Sequence, residues 1–167
     1  MSSTTKLVLA IVISELAGVV GSLFTMPAIA GWYGTLRKPS FAPPDWVFGP
    51  VWTTLFLLMG IAAFLVWRED GKAGIAASPR APRNDKNIAL AIFAVQLVLN
   101  VLWSALFFGM RSPGAALVEI VVLWIAILAT IIAFARISRP AAYLLVPYIA
   151  WVSFAIVLNY QFWNLNR

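Results

Sequence analysis

The chain contains no cysteine and no histidine. That removes disulfides, Cys- or His-based zinc sites, Cys or His nucleophiles, and His or Cys ligation of haem iron. Charge is also scarce: only 11% of the 167 residues are Asp, Glu, Lys or Arg, while 62% are hydrophobic. A soluble domain of this length needs far more polar surface, so the composition predicts a membrane protein. The net charge of +6 does not point to nucleic acid. The basic residues sit in short connections between apolar runs, as topology signals and headgroup contacts do.

Those runs dominate the chain. A bilayer core of about 30 Å takes roughly 20 helical residues, and five stretches qualify: 7–29, 46–67, 88–110, 115–135 and 141–163. The expected fold is an all-α, five-helix transmembrane bundle forming a single domain over 1–167, without an internal repeat. One segment, 68–86, is rich in Ala, Gly, Pro and charge and reads as a mobile linker. Asp45 after Pro43-Pro44 predicts a cap for the second span, and Ser112-Pro113 a cap and first residue for the fourth. Pro50 and Pro147 fall inside spans and predict kinks. Ala28-Ile29-Ala30 resembles a signal-peptidase site. The run before it is longer than a usual signal core and holds Glu15, so a retained span is the expectation.

Lys6, Arg68, Lys72, Arg80, Arg83, Lys86, Arg136 and Arg139 fall on one side of this topology, against Arg37, Lys38, Arg111 and Arg167 on the other. The positive-inside rule then places the N-terminus in and the C-terminus out. The stretch "WYGTLRKPSFAPPDWVFGPVW", Trp32 to Trp52, becomes an outer loop and the start of the second span.

Depth below that loop follows from a rise of about 1.5 Å per residue. Trp52 comes out about 9 Å down, Trp103 about 10 Å, Ala155 about 12 Å, Trp124 about 14 Å, Asn100 about 15 Å and Trp151 about 18 Å. Gln96, Asn100, Trp103 and Phe107 share one face of the third span. Pro147, Trp151, Ala155, Asn159 and Trp163 form an every-fourth row on the fifth. An amide in hydrocarbon is costly unless paired, so Asn100 and Asn159 should point inward. For any one of these residues interhelical packing is the simpler reading. Their convergence at one depth beneath a Pro- and aromatic-rich loop instead predicts a cavity for a flat, largely apolar ligand. Trp32, Trp46, Trp67 and Trp163 lie at span ends, where interfacial Trp belongs.

Two acids lie within spans. Glu119 is expected near the outer end of the fourth, within reach of headgroups. Glu15 is deeper and reads as an internally paired or partly protonated group ahead of a proton relay or cation site. Ala10, Ser14, Gly18 and Ser22 form an every-fourth row of small residues that permits close helix approach. The partner is either an internal span or a second protomer.

The stretches "WYGTLRKPSFAPPDWVFGPVWTTLF", "QLVLNVLWSALFFG" and "VPYIAWVSFAIVLNYQFWNLN" resemble the first loop and second, third and fifth helices of the tryptophan-rich sensory protein, or translocator protein, family. The resemblance runs from about Trp32 to Asn166, with a weaker first span. It implies a homodimeric bundle that binds porphyrins, related tetrapyrroles and synthetic isoquinoline-carboxamide or benzodiazepine-type ligands in a pocket under the first loop. It also implies site residues: Tyr33 and Pro43 in the loop, Trp52 and Phe56 on the second helix, Asn100 and Trp103 on the third, Trp151 and Ala155 on the fifth, and Ser22 on the first. No cofactor is required; porphyrin enters as ligand. The loop motif often carries Trp where this chain has Phe41, which weakens expected stacking there. After Tyr160 the sequence "QFWNLNR" brings Arg167 too late for the animal cholesterol motif, so cholesterol binding is not expected.

A sensing or regulatory role in porphyrin binding is the leading expectation. Light- and oxygen-dependent porphyrin degradation through Trp52 and Trp151 is the alternative, and porphyrin or lipid transport the second. No acid–base dyad supports a conventional enzyme, no inverted repeat marks a secondary transporter, and no filter motif marks a channel. A helical bundle favours the cytoplasmic membrane if the source is bacterial.

Overall fold

The computed structural model describes residues 1–69 and 83–167. Most of the linker expected at 68–86, with Lys72 and Arg80, lies outside the described residues. Five helical segments are long and apolar enough to cross a membrane, and no strand occurs among the described residues.

The first span is α1 (Ser3–Ile29). A short loop helix, α2 (Trp32–Thr35), follows. The second span opens with a 3-10 turn at Asp45–Val47 and continues as α3 (Phe48–Arg68). The third is α4 (Arg83–Ser104), whose last turn, Ala105–Gly109, widens to a π-helix. The fourth is α5 (Pro113–Ala135). The fifth is broken into α6 (Arg139–Leu144) and α7 (Val146–Leu165).

Helix ends follow local chemistry with some corrections. Pro113 opens α5 as expected, although the Ser112 side chain makes no capping bond. Asp45 does not cap either: its carboxylate accepts from the Lys38 ammonium at 2.8 Å on both oxygens. Pro50 does not kink the second span. It is the third residue of α3, where helix N–H groups lack intrahelical partners in any case. Pro147, in contrast, follows the break at Leu145, where the fifth span is interrupted.

The small-residue row of α1 meets an internal span. A Cβ on Gly60 of α3 would lie 2.6 Å from Ile11 Cα and 3.0 Å from the Ala10 carbonyl oxygen. One on Gly18 would lie 2.6 Å from the Phe56 ring. Glycine therefore lets the α1 and α3 backbones nearly touch, which apolar side chains in lipid cannot drive by the hydrophobic effect alone. The rest of α1 is largely unburied, with Val8, Val12, Leu16, Val20 and Leu23 exposed, as suits a lipid-facing helix.

At the far end of α4 the Met110 N–H reaches back to the Ala105 carbonyl at 2.7 Å, and Ser112 N–H to Leu106 at 3.1 Å. The chain then turns through Arg111 at φ 52°, a left-handed conformation unusual for a residue with a side chain. This wide turn presents both Phe107 and Phe108 to the bundle interior beneath the loop.

Candidate functional site

Helical periodicity on four spans builds one cavity of about 520 Å³. From α1 it is lined by Glu15, Gly18, Val19 and Ser22; from α3 by Trp52, Thr53 and Phe56. From the third span come Asn100, Trp103, Phe107 and Phe108, and from α7 Trp151, Ala155, Leu158 and Phe162. Each set repeats at three or four residues, the spacing of one helix face. Tyr33, Asp45 and Trp46 stand at the loop end.

Of the residues expected at the site, Ser22, Tyr33, Trp52, Phe56, Asn100, Trp103, Trp151 and Ala155 line this one space, and Pro43 does not. Trp124 is absent from it as well. The α5 indole N–H instead donates to Ser153 Oγ at 2.8 Å, and no α5 residue lines the cavity among those described. Equal depth did not place Trp124 there because depth says nothing of which way a helix face points. The every-fourth row of the fifth span also splits. Trp151, Ala155 and Asn159 reach the cavity, but Pro147 is exposed. Trp163 lies against Gly114, where an added Cβ would fall 2.9 Å from its Nε1. Four residues overshoot a 3.6-residue turn by about 40°, so the ends of a five-member row face different directions. The sites that this row missed, Leu158 and Phe162, follow the tighter 151–155–158–162 spacing. Phe41 is exposed and packs on Phe154 at 6.3 Å, outside the cavity lining.

Amides position the walls. Asn100 Nδ2 donates to the Tyr148 hydroxyl at 2.9 Å, and that hydroxyl donates to Gln96 Oε1 at 2.9 Å. Tyr148 thereby ties the third span to the fifth inside the bundle. A second link runs from Trp103 Nε1 to Asn159 Oδ1 at 2.9 Å, while Asn159 Nδ2 donates to the Pro113 carbonyl at 2.8 Å. Both asparagines point inward and are paired, as burying an amide requires. The Trp151 indole N–H is different: it is buried without a hydrogen-bond partner. A buried donor left open is costly, and an acceptor on a bound molecule would satisfy it.

The loop is fastened to the bundle at several points. Tyr33 is buried against Phe108 and Phe162, at 5.6 and 5.5 Å between ring centroids. Burial, with the Asp45 carboxylate nearby, pushes its hydroxyl up to about 12. Lys38 sits over the Tyr33 ring at 4.6 Å and bonds Asp45. At the other side, the Arg37 N–H donates to Asn166 Oδ1 at 2.9 Å and Asn166 Nδ2 donates to the Arg37 carbonyl at 3.1 Å. That reciprocal pair clips the loop to the end of α7.

One of the two intramembrane acids departs from expectation. Glu119 does not reach headgroups: it is 7% exposed, and both carboxyl oxygens are buried without a hydrogen-bond partner. Its position on α5 turns it towards neighbouring helices rather than outward. Of the two alternatives expected for Glu15, internal pairing is not found among the described residues, where no hydrogen bond or ion pair reaches it; the partly protonated alternative stands, and the side chain lines the cavity.

The model of the TspO/MBR family matches residues 10–164. The chain is 50% identical over 149 residues to the tryptophan-rich protein TspO of Chlorobaculum tepidum, covering 89% of this chain and 88% of that one. It is 42% identical to the translocator protein of Homo sapiens, over 89% of this chain and 82% of the relative. Identity to the tryptophan-rich sensory protein of Cereibacter sphaeroides is 38%, over 81% and 77%.

Proposed function

This chain belongs to the TspO/MBR family of multi-pass membrane proteins with sensory or translocator names, and from that premise we propose that it binds porphyrins and related flat apolar molecules beneath its first loop, in a sensing or regulatory role. The observation that carries this reading is the cavity itself. Trp52, Trp103 and Trp151 stand around one space, so a planar ring system meets aromatic faces on three helices. The open indole N–H of Trp151 supplies a donor for a ligand acceptor. Lys38, over the Tyr33 ring and paired with Asp45 at the loop end, and its neighbour Arg37 are the loop cations this reading assigns to the porphyrin propionates.

The protein sits N-terminus in and C-terminus out in this reading, as a homodimer, and in the cytoplasmic membrane if its source is bacterial. The Lys and Arg distribution supports the orientation; the helical bundle favours a cytoplasmic membrane, and the dimer is what the family resemblance implies.

Titration with protoporphyrin IX, read by Trp fluorescence, tests the site. Saturable quenching is expected, weakened about three- to tenfold in Trp52→Phe and in Trp151→Phe, the range for losing one favourable aromatic contact. Affinity unchanged in both variants overturns the reading. The shared placement of Trp52 and Trp151 on the cavity wall favours a second reading, light- and oxygen-dependent porphyrin degradation. Illumination would then convert bound porphyrin to a defined product in the wild type and not in those variants. Bleaching equal to that of free porphyrin removes it.

A further inference from the structure

The cavity is one-sided in charge. Glu15 and Asp45 are its acidic lining residues, and none of the described lining residues is basic. Asp45 lies at the loop end and is already matched by Lys38, 2.8 Å from both carboxylate oxygens. Glu15 has no such match: among the described residues no hydrogen bond or ion pair reaches it.

Its place is equally specific. Glu15 is the α1 lining residue farthest from the loop, and Ile29 is the nearest to it; the 14 residue steps from one to the other span about 21 Å of helix. One turn above Glu15, Gly18 brings α1 against the Phe56 ring, which lies 5.7 Å from the Trp52 ring. A carboxyl at this depth in an apolar bundle calls for a partner, and aromatic faces attract cations as well. A metal ion would need several oxygen ligands, which these aromatic walls do not offer.

We infer that the inner end of the cavity is a subsite for a protonated nitrogen, so that the preferred ligand class is a flat apolar body carrying an ammonium group, held with the ammonium against Glu15 and the rings among the tryptophans. This rests on the cavity being the ligand site proposed above. It adds a polarity to that site: positive charge enters first, and any carboxylate remains at the loop beside Arg37 and Lys38.

Two pyrene probes of nearly equal shape test it, 1-pyrenemethylamine, protonated at neutral pH, and neutral 1-pyrenemethanol. The full chain is placed in phosphatidylcholine nanodiscs, and saturable Trp-to-pyrene energy transfer is measured above an empty-nanodisc background. The wild type is expected to bind the ammonium probe about tenfold tighter than the alcohol, as an added charge-assisted contact should give. In Glu15→Gln that ratio falls to near one while pyrenemethanol affinity is retained, which also reports an intact cavity. Equal affinity for both probes in the wild type overturns the inference whatever the variant does. A preference that persists in Glu15→Gln overturns it too, and in both cases saturable binding leaves the ligand site standing. Absence of saturable transfer from either probe sinks the ligand site and this subsite together.

Discussion

Replacing Gly60 by alanine adds one methyl group at the closest approach of α1 and α3. Its Cβ would meet Ile11 Cα at 2.6 Å, the Ala10 oxygen at 3.0 Å and Ile11 N at 3.0 Å. Carbon atoms rest at about 3.5–4.0 Å, so the helices must separate by about 1 Å. All three obstructing atoms are backbone, and no rotamer change relieves them. Overpacking of this kind costs about 1–3 kcal/mol, while exchanging Gly for Ala inside a helix returns up to about 1 kcal/mol. The balance is a net loss that reaches about 2 kcal/mol at the upper end of those ranges. Gly49→Ala is the control, since nothing lies within 4 Å of a Cβ there. Unfolding in mixed micelles of rising SDS fraction, followed by far-ultraviolet ellipticity, should show an earlier midpoint for Gly60→Ala and almost none for Gly49→Ala. A Gly60→Ala protein as stable as the wild type, or more so, refutes the close-packing argument.

Asn159→Leu strips the Trp103 indole of its acceptor and the Pro113 carbonyl of a donor. Hydrogen bonds between membrane helices average about 0.6 kcal/mol and reach about 1.7, so the two together predict a loss of roughly 1–3 kcal/mol in the same unfolding assay; an unchanged midpoint would show the network to be idle. Tyr33 gives a pH dependence. Its hydroxyl ionises near 10 in an unfolded chain and at about 12 when folded, so the folded state keeps the proton longer. The stabilisation is full below about pH 10 and declines as pH rises to about 12. Tyr33→Phe should flatten that part of the thermal-midpoint profile, and an identical alkaline decline in the variant would disprove the assignment.

Composition and spacing were enough to read five spans, because a bilayer imposes a length and an apolarity that no other context requires. The inward asparagines were legible for a similar reason: an amide in hydrocarbon has few places to go. Local exceptions were not. The π-turn at Ala105–Gly109 and the break at Leu145 depend on how the ends of neighbouring helices meet, and Pro50 and Pro147 look alike in sequence although only the second accompanies a break. Trp124 shows the same limit for the site. It carries the residue type and the approximate depth, yet the rotation of its helix turns it to Ser153.

The sequence by itself determined a membrane-spanning chain, the number of its helices and the loop rich in proline and aromatics between the first two spans. These follow from one-dimensional quantities, run length and composition, that the solvent reads directly. Only the tertiary structure decided that the small residues of α1 serve α3, that four spans and not five enclose the cavity, and that Glu15 stands at its inner end without a partner among the described residues. Those facts depend on helix rotation and contact, and in lipid, with little hydrophobic force between helices, rotation is set by close packing and hydrogen bonds that form only once the whole bundle is assembled.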